Sequence, residues 1–384
     1  MVQRYGPDIT GGSETHCRAI AERLAESHDV TVLTTTARDY VSWKNAYAPG
    51  EIAIGPVRVL RFEVAHARRM HRFFEINDRV MYGRASLEEQ ERWFQENGPD
   101  APALLDHLRR YGGEYDRVLF WSYRYAPTFF GVPLVADRAI VVPTAEEDPV
   151  SGLEVLDHFF RLPRGYLFLT YEEADLVTRH LDGRRPPHEI IGTGLDVPRE
   201  AVGSAPHTST RTPGSAPFIL YLGRIEKNKG CDVLFRHFLD YVTGGGREVP
   251  LMLAGPAFMA IPQHPLVRHV GLVCDAEKEL LLAGASCLVM PSPYESLSIV
   301  LLEAWNRGTP ALVNGRCRVL KGQVERANGG LYYRHFDEFA AGLDRLLGDE
   351  PLAHALGQQG RAYVDGEYRW PVVMKKVERA LRDL

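Results

Sequence analysis

Short apolar runs and stretches with helical spacing take turns along this chain. Val2–Tyr5 reads as the tail of a strand, followed by the loop Gly6–Gly12 and a helix over about 13–25 whose inner face is Cys17, Ile20, Ala21 and Leu24. Strands are expected at Val30–Thr35, Val57–Val64, Val118–Trp121, Ala139–Pro143 and Leu167–Thr170, with helices over about 66–96, 152–161 and 171–181. The run 198–217, PREAVGSAPHTSTRTPGSAP, has no period and is rich in Pro, Ser and Thr, the mark of a linker. Alternation then restarts. Strands are expected at Phe218–Leu222, Leu251–Ala254, Cys287–Met290 and Ala311–Val313, helices over about 230–243, 276–283, 336–347 and 351–364, and a last amphipathic helix at Pro371–Leu384. Such alternation predicts parallel β/α units in open sheets. The expected fold class is α/β, two Rossmann-like β/α/β domains facing a cleft. They are bounded at 1–197 and 218–370 around the linker 198–217, with the helix 371–384 packing back on the first domain. A typical strand has ~5–6 residues, so Val2–Tyr5 is short for a mid-sheet strand, and an upstream extension of several apolar residues is expected.

Composition narrows the classes. A chain of 384 residues can bury two cores of about 150–200 residues each. Its net charge of −5 gives no case for nucleic acid as a partner. Five cysteines, odd in number and widely spaced with no C-x-x-C, suit buried thiols in a reducing compartment and predict neither a disulfide framework nor a zinc site. No apolar run approaches 18 residues and no signal peptide opens the sequence, so no membrane span is expected and the expected location is cytoplasmic. The basic and aromatic segment His66–Phe74 is either a solvated helix face or a peripheral contact with an anionic membrane surface or acceptor phosphate.

Candidate chemistry concentrates at Met290–Pro310, MPSPYESLSIVLLEAWNRGTP. It reads as a strand end, a loop, a helix capped by Ser296 and running over Leu297–Trp305, and a stop at Gly308 and Pro310. A helix apolar all round is buried, yet this one carries Glu303, with Glu295 at its mouth. A buried carboxylate needs a partner. For Glu303 that is an internal cation or backbone donor, or else the vicinal diol of a polyhydroxyl ligand. Eight helical residues separate the two glutamates by ~12 Å, too far for a hydrolase carboxylate pair at roughly 5–9.5 Å. They are expected to hold different parts of one elongated ligand, with an anion at the N–H groups of Ser296–Ser298 between them.

A second stretch, Leu222-Gly-Arg-Ile-Glu-Lys-Asn-Lys-Gly230, follows a strand, which puts Arg224 and Lys229 at the sheet edge where α/β ligands bind. It is either a diphosphate site or a solvated basic turn. Gly11-Gly12 opens the first helix, and Gly192-Thr-Gly-Leu-Asp196 ends the first domain; neither is the dinucleotide fingerprint G-x-G-x-x-G. No Walker A, H-E-x-x-H or G-x-S-x-G motif occurs.

Taken in order, G-R-x-x-x-x-K-G (Gly223–Gly230), E-S-L-S-x-x-x-L-E-A (Glu295–Ala304), G-T-P (Gly308–Pro310) and the Gly11-Gly12 helix opening resemble the retaining glycosyltransferases of family four, which have the GT-B fold. The resemblance is strong over 218–335 and weaker before 190. It implies that Arg224 and Lys229 neutralise the diphosphate of a nucleotide-sugar, and that Glu303 holds the ribose hydroxyls while Glu295 contacts the transferred sugar. The backbone at Leu297 and Ser298 would add to the phosphate site, Gly12 would approach from the other domain, and Gly271–Asp275 would lie by the base. The family often carries a histidine after the fifth strand of the first domain. Here Glu146, in Pro143-Thr-Ala-Glu-Glu-Asp-Pro149, takes that place as a catalytic candidate, with His16 or a sugar group as its partner; the other reading is a surface residue capping the next helix.

The implied reaction is metal-independent, retaining transfer of a hexose-type sugar from a UDP- or GDP-linked donor to a glycan, lipid-linked or small-molecule acceptor, with no cofactor beyond that co-substrate. A nucleotide-sugar-binding protein with little turnover is the alternative. A dinucleotide oxidoreductase is argued against by the missing fingerprint.

Overall fold

The computed structural model describes residues 1–9, 11–198 and 216–384. The expected linker 198–217 therefore lies, but for its ends, outside the described residues. The chain forms two compact units, residues 1–192 together with 374–384, and residues 193–373.

In the first unit, β1 (Thr31–Thr35), β2 (Gly50–Ile54) and β3 (Val57–Phe62) form a sheet of order β1-β3-β2, with β1 parallel and β2 antiparallel to β3. Four parallel strands, β4 (Val118–Trp121), β5 (Ala139–Val142), β6 (Gly165–Phe168) and β7 (His188–Ile190), form a second ladder. The opening residues join the two. Val2 N–H donates to the Leu33 carbonyl at 3.2 Å, Trp121 N–H to the Met1 carbonyl at 3.0 Å, and the Thr35 hydroxyl to the Gln3 carbonyl at 2.7 Å. So the expected first strand is present as a buried extended segment between β1 and β4, with too few ladder bonds to form a regular strand.

The expected helix over 66–96 is two, Met70–Met81 and Leu87–Asn97. Gly83, at φ 66°, takes the left-handed turn that ends the first. Ser86 then restarts the second in a capping box, its hydroxyl accepting from Glu89 N–H while the Glu89 carboxylate accepts from Ser86 N–H. The hairpin strand β2 was not foreseen, because its Gly-Glu-Ile-Ala-Ile sequence is exposed nearly throughout and carries no inward apolar column. Residues 374–384, the greater part of the helix Trp370–Asp383, complete this unit. Val377, Ala380 and Leu384 are buried, and Arg379 makes a two-pronged pair with Glu189 on β7 at 2.9 and 2.5 Å.

The second unit is built on six parallel strands: β8 (Ile219–Leu222), β9 (Leu251–Ala254), β10 (Val267–Gly271), β11 (Cys287–Met290), β12 (Ala311–Asn314) and β13 (Gly330–Tyr333). They lie in the order β10-β9-β8-β11-β12-β13. In sequence terms this is 3-2-1-4-5-6, the order of a dinucleotide-binding Rossmann sheet. Its core strands are apolar on both faces, with Leu220, Leu253, Val289 and Leu312 all at 0% exposure, as a sheet covered on both sides by helices requires. The edge strands β10 and β13 were not foreseen. Val-Arg-His-Val-Gly at β10 is largely exposed, and Gly-Leu-Tyr-Tyr at β13 is short.

Candidate functional site

In a 3-2-1-4-5-6 sheet the chain reverses direction between strands 1 and 4, and the loops leaving those strands part to open a crevice at the carboxyl edge. Here those strands are β8 and β11, and the loops leaving them are 223–230 and 291–298. Both sequence motifs therefore converge on one switch point. Gly230 permits it: at φ 74° it ends the turn Lys227–Lys229, and a Cβ there would sit 2.3 Å from the Pro291 carbonyl oxygen. Only glycine lets the two loops touch in this way.

Within the first loop, the Tyr221 hydroxyl donates to the Arg224 carbonyl at 2.7 Å, fixing the backbone, while the Arg224 guanidinium lies 3.2 Å from Glu226. Lys229 reaches across the crevice and donates to Glu295 Oε1 at 2.8 Å. The cation and the carboxylate expected to hold different parts of one ligand thus neutralise each other here. From the far side, the Asn314 amide at the end of β12 donates to the Pro291 and Ser292 carbonyls at 3.1 and 3.3 Å and braces the second loop.

The helix after β11 begins later than expected. It runs over Ile299–Asn306, and its N-cap is Ser298, whose hydroxyl accepts from Leu301 N–H at 3.4 Å. Ser296 is not the cap, and Leu297 is buried in the loop. Glu295 therefore stands on the loop and not on the helix, so a helical rise between it and Glu303 does not apply. The helix still aims its N-terminus, with the backbone of Leu297 and Ser298, toward the switch point.

Glu303 has a partner of its own. Lys278, on the helix Asp275–Gly284, donates to Glu303 Oε1 at 2.7 Å and lies 3.4 Å from Asp275. Burial pushes the Glu303 carboxyl up and Lys278 draws it back down. Lys278 is the residue that sequence reasoning missed, although a buried carboxylate demanded some cation. It also ties Glu303 to the end of the segment Gly271–Asp275.

In the N-terminal unit, Glu146 follows the end of β5 and is half-buried. The loop that carries it is held by Glu173, a fully buried carboxylate that accepts from Ala145 N–H at 2.7 Å and Leu169 N–H at 2.6 Å. Burial pushes Glu173 up to about 8, against the pull of these backbone donors. His16 is not the partner of Glu146. Its Nδ1 accepts from the Trp121 indole at 3.0 Å, and burial lowers its pKa to about 4, so it is neutral and cannot balance a carboxylate. The nearby charge is Arg124, which is ion-paired with Asp148; burial works against its charge, but Tyr123, Asp148 and Glu146 outweigh it and raise its pKa. Gly12 is the first residue of the helix Gly12–Leu24, and open space surrounds the position of a Cβ there. Just before it, the buried Glu14 carboxylate packs on Gly11 and takes bonds from Gln3 at 2.9 Å and Arg4 Nε at 2.8 Å, a brace with no sequence signal beyond its charge.

The other motifs make contacts within their own units. Arg68 donates to the Asn97 carbonyl at 2.6 Å, and Arg69 pairs with Glu96 at 2.7 Å, so part of the basic cluster His66–Phe74 braces its own unit. In Gly192–Asp196, Leu195 N–H donates to the Tyr368 carbonyl at 2.6 Å and Asn306 donates to the Asp196 carbonyl at 3.0 Å. Among the described residues no group of three His, Cys, Asp or Glu is placed to hold a metal ion, and no helix is long and apolar enough to cross a membrane.

Residues 206–363 match the family described as Glycosyl transferases group 1. A glycosyltransferase of Methanocaldococcus jannaschii, itself uncharacterized, is 29% identical over 170 residues, 41% of this chain and 43% of that protein. A GDP-mannose-dependent alpha-(1-6)-phosphatidylinositol monomannoside mannosyltransferase of Mycobacterium tuberculosis is 25% identical over 310 residues, 73% of this chain and 80% of that protein. The chain thus spans less than half of the first relative and most of the second. Among solved structures, a sucrose-phosphate synthase of Thermosynechococcus elongatus superposes with a TM-score of 0.70 at 17% identity, covering 99% of this chain and 98% of the other. An alpha,alpha-trehalose 6-phosphate synthase of Burkholderia multivorans superposes at 0.72 with 13% identity, covering 99% and 97%. The expected fold class, two Rossmann-like units of the GT-B kind, is the fold of this chain.

Proposed function

We propose that the chain is a group 1 glycosyltransferase that moves a hexose-type sugar from a nucleoside-diphosphate sugar with retention of configuration. The observation that carries this reading is the convergence of Arg224, Lys229, Glu295 and a helix N-terminus at the β8/β11 switch point of a Rossmann sheet. When the sugar–phosphate bond breaks, negative charge grows on the departing diphosphate. Two cations and the free N–H groups of a helix start are the groups that stabilise such charge, and they do so without a metal.

The pairing of Lys229 with Glu295 gives the step a geometry. An entering diphosphate takes Lys229 from the carboxylate, which leaves Glu295 to accept hydroxyls of the transferred sugar. The backbone at Leu297 and Ser298 adds donors to the phosphate. Glu303, held in place by Lys278, accepts from the ribose diol. Glu146 serves on the acceptor side, where Arg124 offsets its charge. UDP- and GDP-linked donors both suit this design; the mycobacterial relative is named for GDP-mannose, and a similar Anabaena structure was solved with UDP-glucose. The acceptor is a glycan, a lipid-linked sugar or a small hydroxylated molecule.

The test is kinetic. Arg224→Ala and Lys229→Ala should each lower kcat/KM at least ~10²-fold, the loss of ~2.7–4 kcal/mol of charge stabilisation, with folding intact. Near wild-type turnover in either variant removes that residue from the diphosphate site. Nucleotide binding with no donor hydrolysis or transfer would make the chain a sugar-nucleotide-binding protein.

A further inference from the structure

A cavity of about 420 Å³ opens in the N-terminal unit, lined by residues of that unit. One wall is a single stripe of the helix Leu87–Asn97. Glu88, Glu91, Arg92 and Gln95 follow one another at the spacings i, i+3, i+4 and i+7 and line the space. None of the four side chains makes a hydrogen bond or ion pair with a described residue of the protein. Leu105, Pro127 and Phe130 among others give the same space an apolar lining. At the rim stands Asp100, with His66 at 3.5 Å.

The position matters as much as the lining. Ala126, in the apolar lining, starts the helix that follows β4, and its N–H donates to the Gly98 carbonyl at 3.0 Å. The Asn97 amide donates to the Arg124 carbonyl at 2.9 Å. These bonds fix the cavity to the carboxyl edge of the β4–β7 sheet, beside the segment that carries Arg124. That is the edge at which ligands of open α/β sheets bind.

Three carboxylates against one arginine make the lining acidic, which repels phosphate and other anions. A lining that combines idle donors and acceptors with apolar side chains suits a ligand that carries both hydroxyls and C–H groups. Carboxylates accept two hydrogen bonds from a vicinal diol, and the volume falls toward the lower end of the roughly 300–1,000 Å³ typical of ligand pockets. We propose that this cavity binds an uncharged pyranose residue of a glycan, and that it is an acceptor subsite. The acceptor role rests on the transferase reading above; the binding itself does not.

The experiment uses the full chain on an array of neutral, phosphorylated and amine-bearing oligosaccharides, with the best binder then titrated calorimetrically. Binding confined to neutral glycans is the expected result. The Glu88→Ala/Glu91→Ala double variant should weaken it at least ~10-fold with an unchanged Tm, since both positions are exposed on the helix surface. Lys229→Ala should bind the glycan as the wild type does while failing to transfer, which separates this site from the donor site. No neutral glycan bound, preference for a phosphorylated or amine-bearing probe, or wild-type affinity in the double variant would each overturn the proposal. Neutral glycan bound but never elongated by the wild type would end the acceptor role and leave a glycan-binding site, while loss of all donor hydrolysis and transfer is what would end the transferase reading.

Discussion

Glu303 shows how far a single residue can be read. A carboxylate in an apolar helix costs several kcal/mol unless something answers its charge, so the need for a partner was visible in the sequence. Its identity was not, because Lys278 is 25 positions away and is brought there only by folding. Lys278→Met should leave an uncompensated charge and cost about 3 kcal/mol, at the lower end for a broken buried pair because both groups keep some exposure. Glu303→Gln keeps the shape but weakens acceptance from a diol, so donor KM should rise more than kcat falls. Unchanged donor affinity with a large loss of stability would confine Glu303 to its ion pair. His16 makes a second prediction. Its folded pKa of about 4 lies below the unfolded value of 6.5, so the unfolded chain binds the extra proton between those limits. Stability of the N-terminal unit should be full above pH 6.5, fall as pH drops from there, and level off below pH 4, a span on the order of 3 kcal/mol. Thermal unfolding of His16→Gln across this range should lose that component; an identical pH profile would assign it elsewhere.

At the scale of elements, legibility followed burial. The buried strands β4, β5, β8, β9, β11 and β12 stand as short, largely apolar runs and were placed within a residue or two. The edge strands β2 and β10 are exposed and carry no such pattern, so only backbone pairing to a neighbour defines them. Helix starts depended on which of several serines capped. In Glu295–Ser298 two serines compete, and the choice of Ser298 moves Glu295 off the helix. The helix Trp370–Asp383 carries a prediction of its own. Val377, Ala380 and Leu384 are buried, and a fully buried aliphatic side chain of the size of Val or Leu contributes about 1.5–3 kcal/mol. A chain ending at Val373 should therefore fail to yield a folded N-terminal unit, as read by loss of its protected amides in hydrogen exchange. By contrast, Arg379→Ala should leave stability close to wild type, since Arg379 is half exposed in its pair with Glu189. A folded, protected N-terminal unit in the truncated chain would refute the role of this helix.

The whole molecule has two units with separate cores, and its expected Rossmann character was legible because each β/α alternation restarts after a break. The strand order 3-2-1-4-5-6 was not, since sequence gives the strands but not who pairs with whom. Two cores also mean that one unfolding temperature does not describe the chain. A donor nucleotide at 100 times its Kd should stabilise the C-terminal unit by ~2.7 kcal/mol, and its amides should gain protection first. Protection gained first in β4–β6 would place the nucleotide in the other unit.

Residues 374–384 close a unit whose other residues all precede position 193. During synthesis on the ribosome the nascent first sheet must therefore wait, its flank uncovered, until the entire second unit has been translated. A domain that usually would fold as it emerges can here finish only once residues 374–384 have also emerged, and chaperones have that interval in which to hold it.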